Sequence, residues 1–167
     1  MPATSGGVAA FKFRDPEGHP LELLGFPAGS APPRWRARGG AEPCLGIDHS
    51  AISVTDTARS VAFYEKLGLT VAARSLNRGP EQARLDGLIS PVVEVTALTP
   101  RQATPHVELL RYRDVARDAS APANNDVAAT RIVFEAAAQS ADGFEEMPRA
   151  ILDPDGHRLL IVAPSDT

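Results

Sequence analysis

The chain has 167 residues, of which 43% are hydrophobic, 23% are charged and only 5% are aromatic, with a formal net charge of −4. This length suits one domain, and the composition excludes a wholly disordered protein. The mild acidity argues against nucleic acid as a partner, because phosphate binding requires a basic surface. No apolar run approaches the roughly 20 residues of a membrane helix, so we expect no membrane partner.

The cellular compartment is predicted from the cysteine content and the N-terminal residues. Cys44 is the single cysteine and cannot form an internal disulfide, which fits a reducing compartment. The first residues lack the basic start and sustained apolar stretch of a signal peptide. We therefore expect a cytoplasmic protein.

The first element in chain order is a β-hairpin, FKFRDPEGHPLELL, at residues 11–24. Within the turn of this hairpin, the Asp caps the turn, the Pro fixes its own φ angle and the Gly supplies the position with positive φ. The pattern recurs as RAILDPDGHRLLIV at 149–162, which indicates duplication of a structural unit. Because nothing before residue 11 could supply the rest of a unit, residues 1–26 are predicted to be the leftover closing hairpin of a preceding module. The Pro/Gly/Ala-rich residues 27–43 are predicted to be a linker.

The middle of the chain predicts a β-α-β-β-β unit, called here the first module. Alternating and helical apolar patterns predict its elements. They are a strand at 46–54, a helix at 55–68 that Asp56 or Thr57 caps and Gly68 ends, a strand at 69–74, an irregular Arg- and Gly-rich stretch, and strands at 91–98 and 105–112. A second loop is predicted at 115–126.

Four sequence motifs occur in order over residues 45–163: IDHSAISV, ARSVAFYEKLGL, HVELLRY and DPDGHRLLIV. Together they resemble the vicinal oxygen chelate superfamily of glyoxalases, bleomycin-resistance proteins and extradiol dioxygenases. The resemblance implies an α+β fold in which paired βαβββ modules form a curled mixed β-sheet around a cavity. It makes residues 44–167 one such domain. Its second module, from about Asp126 to Pro164, is reduced, since residues 137–149 are too few for both a helix and a strand.

The resemblance also implies a metal site, with ligands in the first and last strands of each module. In the first module these positions are His49 and Glu108, and Glu108 is also the candidate catalytic residue. The matching position in the N-terminal hairpin is Glu22, a third candidate ligand. Imidazole and carboxylate suit divalent Fe, Zn, Mn or Ni. The structural alternatives stay open: a hydrogen-bonded His49, a solvent-facing Glu108 and an exposed strand-end Glu22.

The second module departs from the family pattern. Its ligand positions hold Arg131 and Leu160, and neither is a plausible metal ligand, because Arg stays cationic and Leu has no donor atom. If Arg131 points into the cavity, it could bind a substrate carboxylate. His106 is either a supplementary ligand or a structural histidine.

Two functions follow from the resemblance, and a third interpretation ranks last. The first is a metal-dependent isomerase, lyase or dioxygenase that acts on a small molecule with adjacent oxygens. The alternative is a metal-free small-molecule or antibiotic-binding protein of the bleomycin-resistance type, which the lost ligand positions favour. The third is a remnant whose sheet serves only assembly. We also expect a homodimer, and the N-terminal hairpin could pack within its own chain or across that dimer.

Overall fold

A computed structural model describes residues 7–37, 43–101, 105–113, 131–136 and 147–164. The predicted loop at 115–126 and most of the short segment at 137–149 lie outside these ranges. Within them the elements are, in chain order, β1 (Ala9–Arg14), β2 (Pro20–Gly25), α1 (Pro33–Ala37), β3 (His49–Ser53), α2 (Thr57–Lys66), β4 (Thr70–Arg78), α3 (Pro80–Asp86), β5 (Val92–Thr99), β6 (His106–Arg113), β7 (Arg131–Glu135), β8 (Arg149–Leu152) and β9 (Arg158–Val162).

The strands form three sheets within the described residues, and the α+β fold class is confirmed. The hairpin β1–β2 is a separate two-stranded sheet. The sheet of the first module has the strand order β3-β6-β5-β4, and that of the second module has the order β7-β9-β8. In each module the first and last strands, β3 with β6 and β7 with β9, pair in parallel. The predicted β-α-β-β-β order of the first module is therefore present.

One stretch of the first module was predicted incorrectly as irregular. Strand β4 continues to Arg78, and α3 follows it directly. Pro80 stands at the start of α3, where its missing N–H costs nothing and its fixed φ suits a helix. Gly87 ends α3 in the left-handed conformation, with φ 66°. These two residues are the local signals for a short helix.

Helix α2 forms the centre of the apolar core. Asp56, one of the two predicted caps, caps the helix by accepting a hydrogen bond from the Arg59 backbone N–H at 3.0 Å. Tyr64 is fully buried on its inner face. That face packs against Leu98 and Leu109 of the first sheet and Leu159 of the second. The helix thus joins the two modules.

Polar contacts hold the turn between β8 and β9 to α2 and to Thr55 just before it. The Tyr64 hydroxyl donates to Asp153 Oδ2 at 3.0 Å, and the Thr55 hydroxyl donates to Asp155 Oδ1 at 2.6 Å. Both aspartates are at most 8% exposed. Gly156 has φ 87°, the positive value predicted for this turn. The second repeat of the turn motif therefore attaches the second sheet to α2.

The first repeat of the turn motif has a different environment. Asp15 accepts the backbone N–H of His19 at 2.8 Å within its own turn, and its side chain is 26% exposed. The hairpin lies against the first module of its own chain, where the Lys12 ammonium donates to Asp86 at the end of α3. The same sequence motif therefore closes a solvent-facing turn here.

The predicted linker contains α1, a single helical turn whose Trp35 is 8% exposed. None of the helices in the described ranges is long and apolar enough to span a bilayer.

Candidate metal centre

Two adjacent strands bring three potential ligands to one face of the first sheet. In the parallel pair of β3 and β6, His49 lies opposite His106 and Ala51 lies opposite Glu108. Because strand side chains alternate between faces, the two histidines and Glu108 point the same way. His49 Nε2 lies 3.6 Å from Glu108 Oε2, and His106 Nε2 lies 3.5 Å from Glu108 Oε1. The predicted pair therefore meets, and His106 joins it.

Two of these residues, His49 and Glu108, line a cavity of about 260 Å³ between the first sheet, α3 and the N-terminal hairpin. The hairpin contributes Glu22 and Lys12, whose carboxylate oxygen and ammonium are 4.0 Å apart. The sequence-predicted ligands His49, Glu108 and Glu22 thus share one cavity, and the hairpin forms one of its walls.

The two cavity carboxylates have opposite electrostatic environments. Burial alone would raise the pKa of Glu108, but the contact with His106 and the charge of His49 outweigh it and lower that pKa. Burial raises the pKa of Glu22, against the opposing charges of Lys12 and His49. Glu108 is therefore an anion at neutral pH, and Glu22 carries a charge that burial disfavours.

A further carboxylate, Asp48, lies beside the cluster. Asp48, His49 and His106 each offer a ligand atom within 4.8 Å of the others. Its Oδ1 is engaged, however, because Trp35 Nε1 and an Arg34 nitrogen both donate to it at 2.8 Å. Its Oδ2 lies 3.2 Å from His49 Nδ1. Asp48 therefore meets His49 at Nδ1, whereas Glu108 faces its Nε2 atom.

The donor types suit a divalent transition metal. Ligand atoms lie about 2.0–2.2 Å from such an ion, so two of them can be up to roughly 4 Å apart. Each histidine Nε2 lies within this limit of one oxygen of Glu108, His49 of Oε2 and His106 of Oε1. Two imidazoles with one carboxylate suit iron, zinc, manganese or nickel.

Arg131 and Leu160, the residues at the ligand positions of the second module, add no ligand to this cluster. Arg131 begins β7, is exposed, and lines a wider open cleft that also reaches His49. It lies outside the lining of the 260 Å³ cavity. Leu160 is half-buried in β9 and offers no donor atom. The departure from the family pattern at these positions thus coincides with a cluster built on β3 and β6 alone.

Sequence reasoning missed the residues around His49. The position of Asp48 next to a candidate ligand was a usable signal for an orienting carboxylate. Arg34 and Trp35 lie in a stretch without apolar period, so their contacts with Asp48 left no pattern. Lys12 alternates with apolar residues in β1, and this alternation gave no sign of its contacts with Glu22 and Asp86.

Glu22→Gln should have opposite effects on stability and on metal affinity. Since the pKa of Glu22 is raised in the fold, folding disfavours its charge, and the amide should unfold at a higher urea concentration than wild type in metal-free protein at pH 7. That advantage should shrink as the pH falls and wild-type Glu22 takes up a proton. Divalent-metal affinity should fall at least about 10-fold. Glu65→Gln, at an exposed position of α2 outside the cavity lining, is the control and should change neither quantity.

A family model shows the family of the chain, and a solved structure agrees on the fold. A family model described as the glyoxalase/bleomycin resistance protein/dioxygenase superfamily matches residues 46–161. A crystal structure of a glyoxalase family protein from Bacillus cereus is similar in fold, with a TM-score of 0.61 at 17% identity over 75% of this chain and 97% of that one. No curated protein matches the chain. The family match covers most of the chain and includes β3, α2, β6 and the second turn motif, so the protein belongs to the glyoxalase/bleomycin resistance protein/dioxygenase superfamily.

Proposed function

We propose that the protein is a metal-dependent enzyme that acts on a small molecule with adjacent oxygen atoms. The observation that carries the proposal is that His49, His106 and Glu108 lie together on one face of the first sheet. Two of them, His49 and Glu108, line a cavity whose opposite wall supplies Glu22. The two oxygens of Glu108 lie 3.5 and 3.6 Å from the imidazoles of His106 and His49.

Each residue has a role in this proposal. A bound metal would supply Lewis-acid polarisation of the adjacent substrate oxygens. His49, His106 and Glu108 would hold it, with Glu22 completing the set. Glu108 is also the candidate catalytic carboxylate, since its lowered pKa keeps it ionised. Arg131, on the wall of the wider cleft, would bind an anionic group of the substrate.

The N-terminal hairpin has a mechanistic part as well. Its residues Lys12, Glu22 and Leu24 line the cavity opposite the first sheet. In this proposal they would restrict the access of water to the metal, which would strengthen the electrostatic interactions inside the site.

The metal content of the wild-type chain tests the proposal. After chelation and reloading with Fe²⁺, Zn²⁺, Mn²⁺ or Ni²⁺, one of these ions should bind at close to one per chain. The single tryptophan, Trp35, hydrogen-bonds to Asp48 beside His49, so its fluorescence should change during the titration. The loaded chain, but not the metal-free chain, should convert a compound with adjacent oxygens. Absence of bound metal after reconstitution would overturn the proposal.

A second candidate function is a metal-free binding protein of the bleomycin-resistance type. Arg131 and Leu160 favour it, because they replace both ligand positions of the second module and place a cation at a wide cleft. This candidate predicts small-molecule binding that is unaffected by chelators. The same titration therefore separates the two functions.

A further inference from the structure

The predicted linker holds the side chain of Asp48 in one orientation. Trp35 Nε1 and an Arg34 guanidinium nitrogen both donate to Asp48 Oδ1 at 2.8 Å. The same Arg34 nitrogen donates to the Asp48 backbone carbonyl at 3.3 Å. The Arg34 guanidinium also lies 3.9 Å from the centre of the Trp35 ring, a cation–π contact. The two linker residues thus form a clamp on a single carboxylate oxygen.

The clamp leaves the second carboxylate oxygen for His49. Asp48 Oδ2 lies 3.2 Å from His49 Nδ1, and a carboxylate can only accept a hydrogen bond. In neutral His49 the proton must therefore lie on Nδ1. Nε2, the nitrogen that faces Glu108, is then unprotonated, and this is the tautomer that ligation through Nε2 requires.

We propose that Arg34 and Trp35 are positioning residues that act through Asp48 to fix the metal-binding tautomer of His49. The inference rests on the proposed function for its purpose, but the tautomer itself can be measured without metal. It makes the linker between the hairpin and the first module part of the candidate site.

Asp48→Asn tests the proposal because it preserves shape and inverts one hydrogen bond. The Arg34 and Trp35 donors should hold the amide oxygen of Asn where Oδ1 lies, which turns the amide NH₂ toward His49. Nδ1 would then have to accept, and the proton would move to Nε2 and block metal binding. We expect Co²⁺, followed by its visible absorption, to bind about 10- to 100-fold more weakly than in wild type.

Imidazole ¹⁵N NMR of the metal-free protein gives the independent readout. At about pH 8.5, above the usual histidine pKa of about 6.5, wild-type His49 should show the Nδ1–H tautomer and Asp48→Asn the Nε2–H tautomer. Loss of the signal in His49→Gln assigns it. Trp35→Phe keeps an aromatic ring but removes one hydrogen-bond donor to Asp48. It should weaken Co²⁺ binding by at least about 3-fold, but by less than Asp48→Asn, because the Arg34 hydrogen bond remains. Arg36→Ala, on the exposed side of α1, is the matched control and should bind as wild type.

The outcomes separate the two claims. If wild type binds no Co²⁺ but the tautomer changes in Asp48→Asn, the metal site fails and the positioning role stands. If wild type binds Co²⁺ and Asp48→Asn keeps both its affinity and its tautomer, the positioning role is wrong and the metal site stands. An unchanged affinity in Trp35→Phe, with an unfolding free energy like that of wild type, would contradict the positioning role of Trp35.

Discussion

Asp153→Ala should destabilise the protein by about 3–5 kcal/mol, the scale expected when a buried charge-assisted network loses its acceptor. Asp153 is 5% exposed and accepts three hydrogen bonds. The donors are the Tyr64 hydroxyl at 3.0 Å and the backbone N–H groups of Asp155 and His157 at 2.9 and 2.8 Å. Alanine leaves all three unsatisfied where water has little access. Urea unfolding monitored by circular dichroism measures the change.

Asp15→Ala is the matched control, because Asp15 occupies the same position of the same motif in the N-terminal hairpin. Its side chain faces solvent, and water can replace it as acceptor. The loss in unfolding free energy should therefore be clearly smaller than for Asp153→Ala. Asp153→Asn should fall between them, since its one amide oxygen can still accept from the turn N–H groups. Equal losses at Asp15 and Asp153 would contradict the docking role of the second turn.

Glu108→Ala should reduce divalent-metal affinity by more than about 100-fold. Loss of a residue that only supports a ligand already costs 10- to 100-fold, and Glu108 supplies the oxygens between both histidines. His49→Ala should have an effect of similar size. Calorimetric titration with the ion that wild type retains gives both values.

Glu94→Ala provides the matched control for that experiment. Glu94 lies on the neighbouring β5, where it bonds to Arg111 and Arg113. Its neighbours Val93 and Val95 line the cavity, so the Glu94 side chain points to the other face of the sheet. Wild-type metal affinity is expected for this variant. A loss as large as that of Glu108→Ala would indicate a general effect of sheet charge and would contradict direct ligation.

Much of the fold was predictable because its signals are local. The cap at Asp56, the alternation of β5 and β6 and the Gly of each turn motif depend on residues within one element. Helix α3 was missed because a Pro start and a Gly end around seven residues leave too short a window for an apolar period. The exposure of one turn motif and the burial of the other could not be predicted, since that difference depends on which helix lies against each hairpin.

The candidate site was predictable only in part, for a related reason. The family resemblance pointed to His49 and Glu108, and strand alternation placed His106 on the same face as Glu108. The contacts of Asp48 with Arg34 and Trp35 span 14 and 13 residues through a segment without a repeating pattern. Such contacts arise from tertiary packing. They become visible only when the linker and the start of β3 are placed side by side.

The docking of the second turn on α2 also has a consequence for how the chain folds. The contacts of Tyr64 with Asp153 and of Thr55 with Asp155 join residues 89 and 100 positions apart. Parallel pairing of β3 with β6 likewise waits for the intervening helix and strands. Closing such long loops costs chain entropy before the contacts are gained, so proteins with this topology fold slowly. Helix α2 therefore lies early in the sequence, but the buried hydroxyl of its Tyr64 gains its partner only when Asp153, near the end of the chain, packs against it.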